Sequence, residues 1–163
     1  MNTLSPRVDL DLTTGVVRVG GDGLPEVVVA RIPGDGDTDD AIPVGTRDPA
    51  RLTLTVDGRE ARLRPGKGRV FRRSFRVDAT VDGVRYRLVP CSYVESRFSR
   101  GGKALGRLDS TGDGLVGAEW DTEPDTAPDA LSLALGTALA AAFGTGAAPW
   151  WEISLQMVAE LLP

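Results

Sequence analysis

Apolar and polar residues alternate along most of this chain, and the period is two. Val8, Leu10 and Leu12 alternate with Asp9 and Asp11, and Thr14-Gly15 then turns the chain into Val16-Val17-Arg18-Val19. The run Glu26 to Ile32 is β-branched and bounded by Pro25 and Pro33, which reads as a strand. Gly34 to Asp40 is a polar loop. From Arg51 to Arg64, Leu52, Leu54 and Val56 share one face, Asp57-Gly58 supplies a two-residue turn, and Ala61 and Leu63 return on the same face. A second hairpin runs Phe71, Phe75, Val77, Ala79, Val81 into Asp82-Gly83 and back through Val84, Tyr86 and Leu88. A third is centred on Asp113-Gly114, between Leu105–Leu108 and Leu115–Trp120. Successive hairpins of this kind predict an antiparallel sheet that curls, or closes into a barrel, over about residues 5–121.

The period changes at Pro124. Prolines and acids are helix-start chemistry, with Asp125, Thr126 or Asp129 as caps. A helix is predicted from about Asp129 to Phe143, ended by Gly144-Thr145-Gly146. Ala130 to Trp151 carries no charged residue, so it belongs in a protein interior or in a bilayer. Half of it is Ala and Gly, and only four Leu and one Phe carry apolar weight. The glycines and Pro149 limit the helix to ~22 Å, short of the ~30 Å hydrocarbon core. Burial against the sheet is therefore the expectation, and no membrane span. Leu131, Leu133, Leu135, Leu139 and Phe143 cannot share one helix face, so the sheet must cover most of the circumference. Trp150 to Leu162 reads either as a second amphipathic helix, with Trp151, Leu155, Val158 and Leu162 on one side, or as a short strand at its start. The fold class is α+β, a single domain over residues 1–163, with a β-rich part followed by a helical region at about 128–162.

Composition narrows the chemistry. The chain of 163 residues has no histidine, which removes imidazole-based triads, dyads and pH switches. No Ser-Lys, Cys-based or paired-carboxylate motif takes their place, so no enzyme is expected and no cofactor is called for. The single cysteine, Cys91, excludes an internal disulfide and reads as a buried structural residue. With no basic-then-apolar leader at Met1, the expected location is cytoplasmic.

Charge is segregated. Residues 51–107 hold fifteen of the nineteen Lys and Arg against five acids, about +10, while the flanks hold four bases against eighteen acids, about −14. Within that basic block Arg62, Arg64, Arg72, Arg76, Arg85 and Arg87 fall opposite the apolar positions of the two hairpins. If the hairpins are neighbours, six arginines line the outer face of the sheet. Guanidinium forks suit phosphate and carboxylate. Arg100 and Lys103, in Ser99-Arg100-Gly101-Gly102-Lys103, add an anion-binding candidate in a Gly-rich turn, although Ala104 and the β context depart from a phosphate loop. Overall acidity and the lack of aromatics among the bases argue against nucleic acid.

Strands punctuated by Asp57-Gly58, Asp82-Gly83 and Asp113-Gly114, followed by Asp129-Ala130-Leu131-Ser132-Leu133-Ala134-Leu135, resemble the tubby-like superfamily, and within it the LURP-one-related and scramblase-like proteins. The resemblance covers roughly residues 50–145. It implies a barrel around a central helix and a role in lipid or membrane association, or as an adaptor, rather than catalysis. Two kinds of partner stay open for the basic face: anionic phospholipid headgroups and an acidic protein. A different reading makes the chain a protein–protein interaction subunit or homo-oligomer, with Trp150 and Trp151 as interface anchors rather than core. The oligomeric state is open. Two acidic stretches invite a metal reading. Asp109 to Gly114 opens like a calcium loop, but Trp120 stands where the closing Glu belongs, and a hairpin turn is expected instead. Asp35, Asp37, Asp39 and Asp40 read as a solvated loop, so no metal site is assigned.

Overall fold

The computed structural model describes residues 4–68 and 72–145, with Arg72 and Arg73 described by their backbone alone. Ten strands form one antiparallel sheet, and each strand hydrogen-bonds to its neighbour in the chain. They are β1 (Arg7–Asp11), β2 (Val16–Gly20), β3 (Val27–Arg31), β4 (Leu52–Val56), β5 (Arg59–Pro65), β6 (Val77–Val81), β7 (Val84–Pro90), β8 (Glu95–Arg100), β9 (Lys103–Ser110) and β10 (Val116–Trp120). One helix, α1 (Ala130–Phe143), follows. The sheet is a half-barrel with β1 and β10 as its edges. The helix touches β1, β2 and β3 on one side and β7, β8, β9 and β10 on the other, so the sheet curls around it.

Burial follows the alternation. Val17, Val19, Val27, Val29, Leu54, Val77, Ala79, Tyr86, Leu88 and Phe98 all face the interior. Leu135, Leu139 and Phe143 are fully buried, and Leu131 and Leu133 are partly covered, so none of the five apolar helix residues is exposed. At Gly136 the helix backbone presses on the sheet: an added Cβ would lie 3.0 Å from the Trp120 ring and 3.1 Å from that of Phe98. The Phe98 ring stacks on Tyr86 at 5.9 Å and meets Trp120 edge-on at 6.1 Å. The thin helix and this aromatic cluster are one packing unit. Its start is fixed by Asp129, whose carboxylate accepts from the Ser132 amide at 2.8 Å. Burial opposes ionisation of that carboxyl, but the Ser132 hydrogen bonds and the Arg100 charge outweigh it and hold it below its ordinary value.

Two Asp-Gly pairs make the tight turns expected of them. Asp57 and Gly58 sit at φ 48° and 80°, and Asp82 and Gly83 at 49° and 79°, the left-handed pairing that joins two-residue hairpins. The third pair does not. Val116 pairs with Ser110, so β9 and β10 are joined by the five residues 111–115, and the Asp113 carboxylate instead accepts from the Leu115 amide and the Thr111 hydroxyl. Leu115 is accordingly 74% exposed, and Leu12, expected to continue β1, is 59% exposed in the β1–β2 turn.

The stretch before β6 is a further correction. Arg72–Phe75 is a short 3₁₀ turn rather than the start of a strand. Arg72-Arg73-Ser74 offers no alternating apolar face, and the Phe75 carbonyl is taken by Arg47, not by a neighbouring strand. Arg47 links this turn to the end of the helix. Its guanidinium lies between the rings of Phe75 and Phe143, at 5.1 and 5.6 Å, and donates to the carbonyls of Phe75 and Gly66. Among the described residues Nε and Nη2 are buried without a hydrogen-bond partner, and burial pushes the group down to about 10, against the pull of Asp39. No helix among the described residues is long and apolar enough to cross a membrane. Trp150, Trp151 and the proposed second helix or strand lie outside the described residues.

Candidate anion-binding face

The inward half of the strands is buried, with the helix packed on that side of β1–β3 and β7–β10, which leaves the convex side to the outward half of each strand. In β5, Leu63 points in, and Arg62 and Arg64 point out. In β6, Val77, Ala79 and Val81 point in, leaving Asp78 and Thr80 outward. In β7, Tyr86 and Leu88 point in, with Arg85 and Arg87 outward. Register then sets the pattern. Thr80 lies between Arg62 and Arg85, and Asp78 lies between Arg64 and Arg87. Directly opposed residues share a face and stand ~5 Å apart, so each row is an arginine, a smaller residue and an arginine spanning ~10 Å.

These two rows line an open groove of about 1050 Å³ together with Lys67, Arg76, Ser74 and the backbone around Pro65-Gly66. β6 is its floor, and β5 and β7 are its walls. Among the described residues, six cations (Arg62, Arg64, Lys67, Arg76, Arg85 and Arg87) and one carboxylate, Asp78, line the groove. That carboxylate is committed. Arg87 forks onto it, Nε to Oδ1 at 2.6 Å and Nη2 to Oδ2 at 3.2 Å, and Arg76 Nε stands 3.7 Å from Oδ2. The hydrogen bond to Asp78 holds the Arg87 guanidinium above its ordinary value despite some burial. Arg62, Arg64 and Arg85 are exposed and make no ion pair among the described residues.

The sequence-derived candidates therefore divide. Arg62, Arg64, Arg76, Arg85 and Arg87 come together in one groove, while the side chain of Arg72 lies outside the described residues. Arg100 does not join them. It pairs across the sheet with Tyr86, which faces inward, and its Nη1 donates to the helix-capping Asp129 at 3.0 Å. Lys103 is exposed beside the β8–β9 turn, where the Gly101 amide already donates to the Arg85 carbonyl. Lys67, Asp78, Thr80 and Arg97 were not among the candidates. Asp78 and Thr80 were legible as the outward positions of Val77-Asp78-Ala79-Thr80-Val81, whereas Arg97 required β8, a strand whose only large apolar residue is Phe98. Arg97 joins Arg76 and Arg87 around a second hollow of about 630 Å³ that includes Cys91, which is exposed rather than buried.

Among the described residues, no acid of the flanks pairs with an arginine of this groove. Among the described residues, Arg100–Asp129 is the ion pair that joins basic block to flank, whereas Arg59–Asp82, Arg76–Asp78, Arg87–Asp78 and Arg107–Glu95 all lie within the block. The acidic loop serves its own backbone: the Asp37 carbonyl accepts from Arg51 and the Asp39 carboxylate from the Ala41 amide. No three metal-ligating side chains converge among the described residues. Comparison with family models, curated proteins and solved structures finds no match for this chain.

Proposed function

We propose that this protein is a non-catalytic binding module whose convex β5–β7 face docks on anionic phospholipid headgroups. The observation that carries the reading is the groove itself, in which, among the described residues, Arg62, Arg64 and Arg85 stand exposed without an ion pair beside a single, already committed carboxylate. Charge complementarity selects an anionic partner, and guanidinium forks favour phosphate. A lipid surface fits better than an acidic protein because, among the described residues, the apolar lining is Pro49, Ala50, Leu63 and Pro65, with no aromatic to anchor a protein interface. The resemblance to the tubby-like superfamily read from the sequence points the same way.

Each basic side chain close to an anionic bilayer contributes about 1 kcal/mol, so replacing Arg62, Arg64 and Arg85 together with Gln weakens binding by roughly two orders of magnitude. Vesicle flotation at low salt measures this. The wild-type protein should float with vesicles containing phosphatidylglycerol and not with neutral phosphatidylcholine, and the triple variant should stay behind. Equal flotation of wild type and variant removes the proposal. Capture by acidic proteins with no vesicle binding would transfer the face to a protein partner.

A further inference from the structure

The two rows of the groove are not equivalent, and the difference names a ligand class. Row by row, Asp78 occupies the space between Arg64 and Arg87 and already neutralises Arg87. Thr80 occupies the same place between Arg62 and Arg85, where there is no acid and both guanidiniums are exposed without an ion pair among the described residues. The Thr80 hydroxyl makes no hydrogen bond among the described residues and lines the groove floor between them. We infer that the Arg62–Thr80–Arg85 row is a subsite for one terminal phosphate, a phosphomonoester group, and that Asp78 confines the anion to that row. The inference rests on the reading of the face as phospholipid-binding and deepens it.

Stoichiometry is the argument. A phosphomonoester carries about −1.5 to −2 charges near neutral pH and presents three terminal oxygens. Two guanidinium forks supply two positive charges from opposite sides, and a hydroxyl donor rises from the floor between them. Arginines ~10 Å apart at their backbones converge comfortably on a group of that size. A phosphodiester offers one charge and two free oxygens, so it leaves a donor unused. A long polyanion laid along β6 would run from Thr80 over the Asp78 carboxylate, two residues away, and meet like charge there. Arg64, free but beside Asp78, adds attraction at the rim without opening a second subsite.

The experiment compares vesicles of phosphatidic acid, a monoester, with vesicles of phosphatidylglycerol, a diester, each in phosphatidylcholine and matched in surface potential. The wild-type protein should prefer phosphatidic acid by about tenfold, the worth of one hydrogen bond to a charged group. Thr80→Val keeps the shape and β-branching of an outward strand position, so it should fold, as checked by circular dichroism. It should abolish the preference, bringing phosphatidic acid binding down to the level of phosphatidylglycerol binding in the same variant. Arg97→Gln, outside the row, should weaken both by the same factor. Equal binding to the two lipids, or a preference that survives Thr80→Val, overturns the subsite while leaving the face in place. Failure to bind either lipid overturns the reading of the face, and the subsite with it.

Discussion

Arg47 and Asp78 each hold several partners, and neither stands out in the sequence. Asp78 is one outward letter in an ordinary strand, yet it decides which of the groove's arginines are free, because Arg87 forks onto it. Arg47 follows a Gly-Thr pair in a loop, and nothing in its neighbourhood signals burial. Only the approach of Phe75 and Phe143, from distant parts of the chain, places its guanidinium between two rings. Because burial holds Arg47 near 10, below its ordinary value, the unfolded chain carries more protons between the two values. Stability that the buried charge costs at neutral pH is therefore recovered as pH rises through about 10. Replacing Arg47 by Met removes this dependence. Urea unfolding at pH 8 and pH 11 should show the wild type gaining about 1 kcal/mol relative to Arg47→Met. A constant difference between the two proteins would place the guanidinium in solvent.

Elements were legible wherever one local rule decided them. Asp57-Gly58 and Asp82-Gly83 take the positive-φ pair that a two-residue hairpin demands, and the flanking alternation fixes which face is buried. Asp113-Gly114 has the same letters, but the Asp113 side chain caps its own loop, and β9 ends two residues before, and β10 begins one residue after, the positions that a two-residue turn would set. β8 was the hardest strand to see because five of its six residues are polar or charged. The interior needs only Phe98 from it, with Ser96 as a buried polar neighbour. For α1 the composition was sufficient: an uncharged, small-residue helix has to be enclosed, and the sheet encloses it. Its tightest point is Gly136, against the Phe98 and Trp120 rings. Gly136→Val forces three carbons into that contact and should destabilise the fold by about 2 kcal/mol, seen as a lower midpoint in urea with an unchanged slope. Since Val is a better helix former than Gly, an unchanged or raised midpoint would mean that the helix does not press on the sheet there.

Across the whole molecule the segregation of charge along the sequence becomes segregation in space. The basic block, residues 51–107, builds the central strands, and the acidic flanks build the β1–β3 edge and the approach to α1. Among the described residues one ion pair, Arg100–Asp129, joins block to flank, the other ion pairs of the block lie within it, and Arg62, Arg64 and Arg85 make none. The alternation read in the sequence brought five of the arginines to one face. It could not reveal that Asp78 divides them, because register between strands is not written in any one strand. The chain's single cysteine offers a direct test of where the partner sits. Cys91 is exposed in the hollow that shares Arg76 and Arg87 with the groove, so a solvent-sensitive dye on its thiol reports on this face. On addition of vesicles containing phosphatidic acid the dye emission should shift to the blue, with no shift for neutral vesicles and none in the protein lacking Arg62, Arg64 and Arg85. Vesicle binding that leaves the Cys91 dye in water would contradict the account, because the protein would then be docking through another surface.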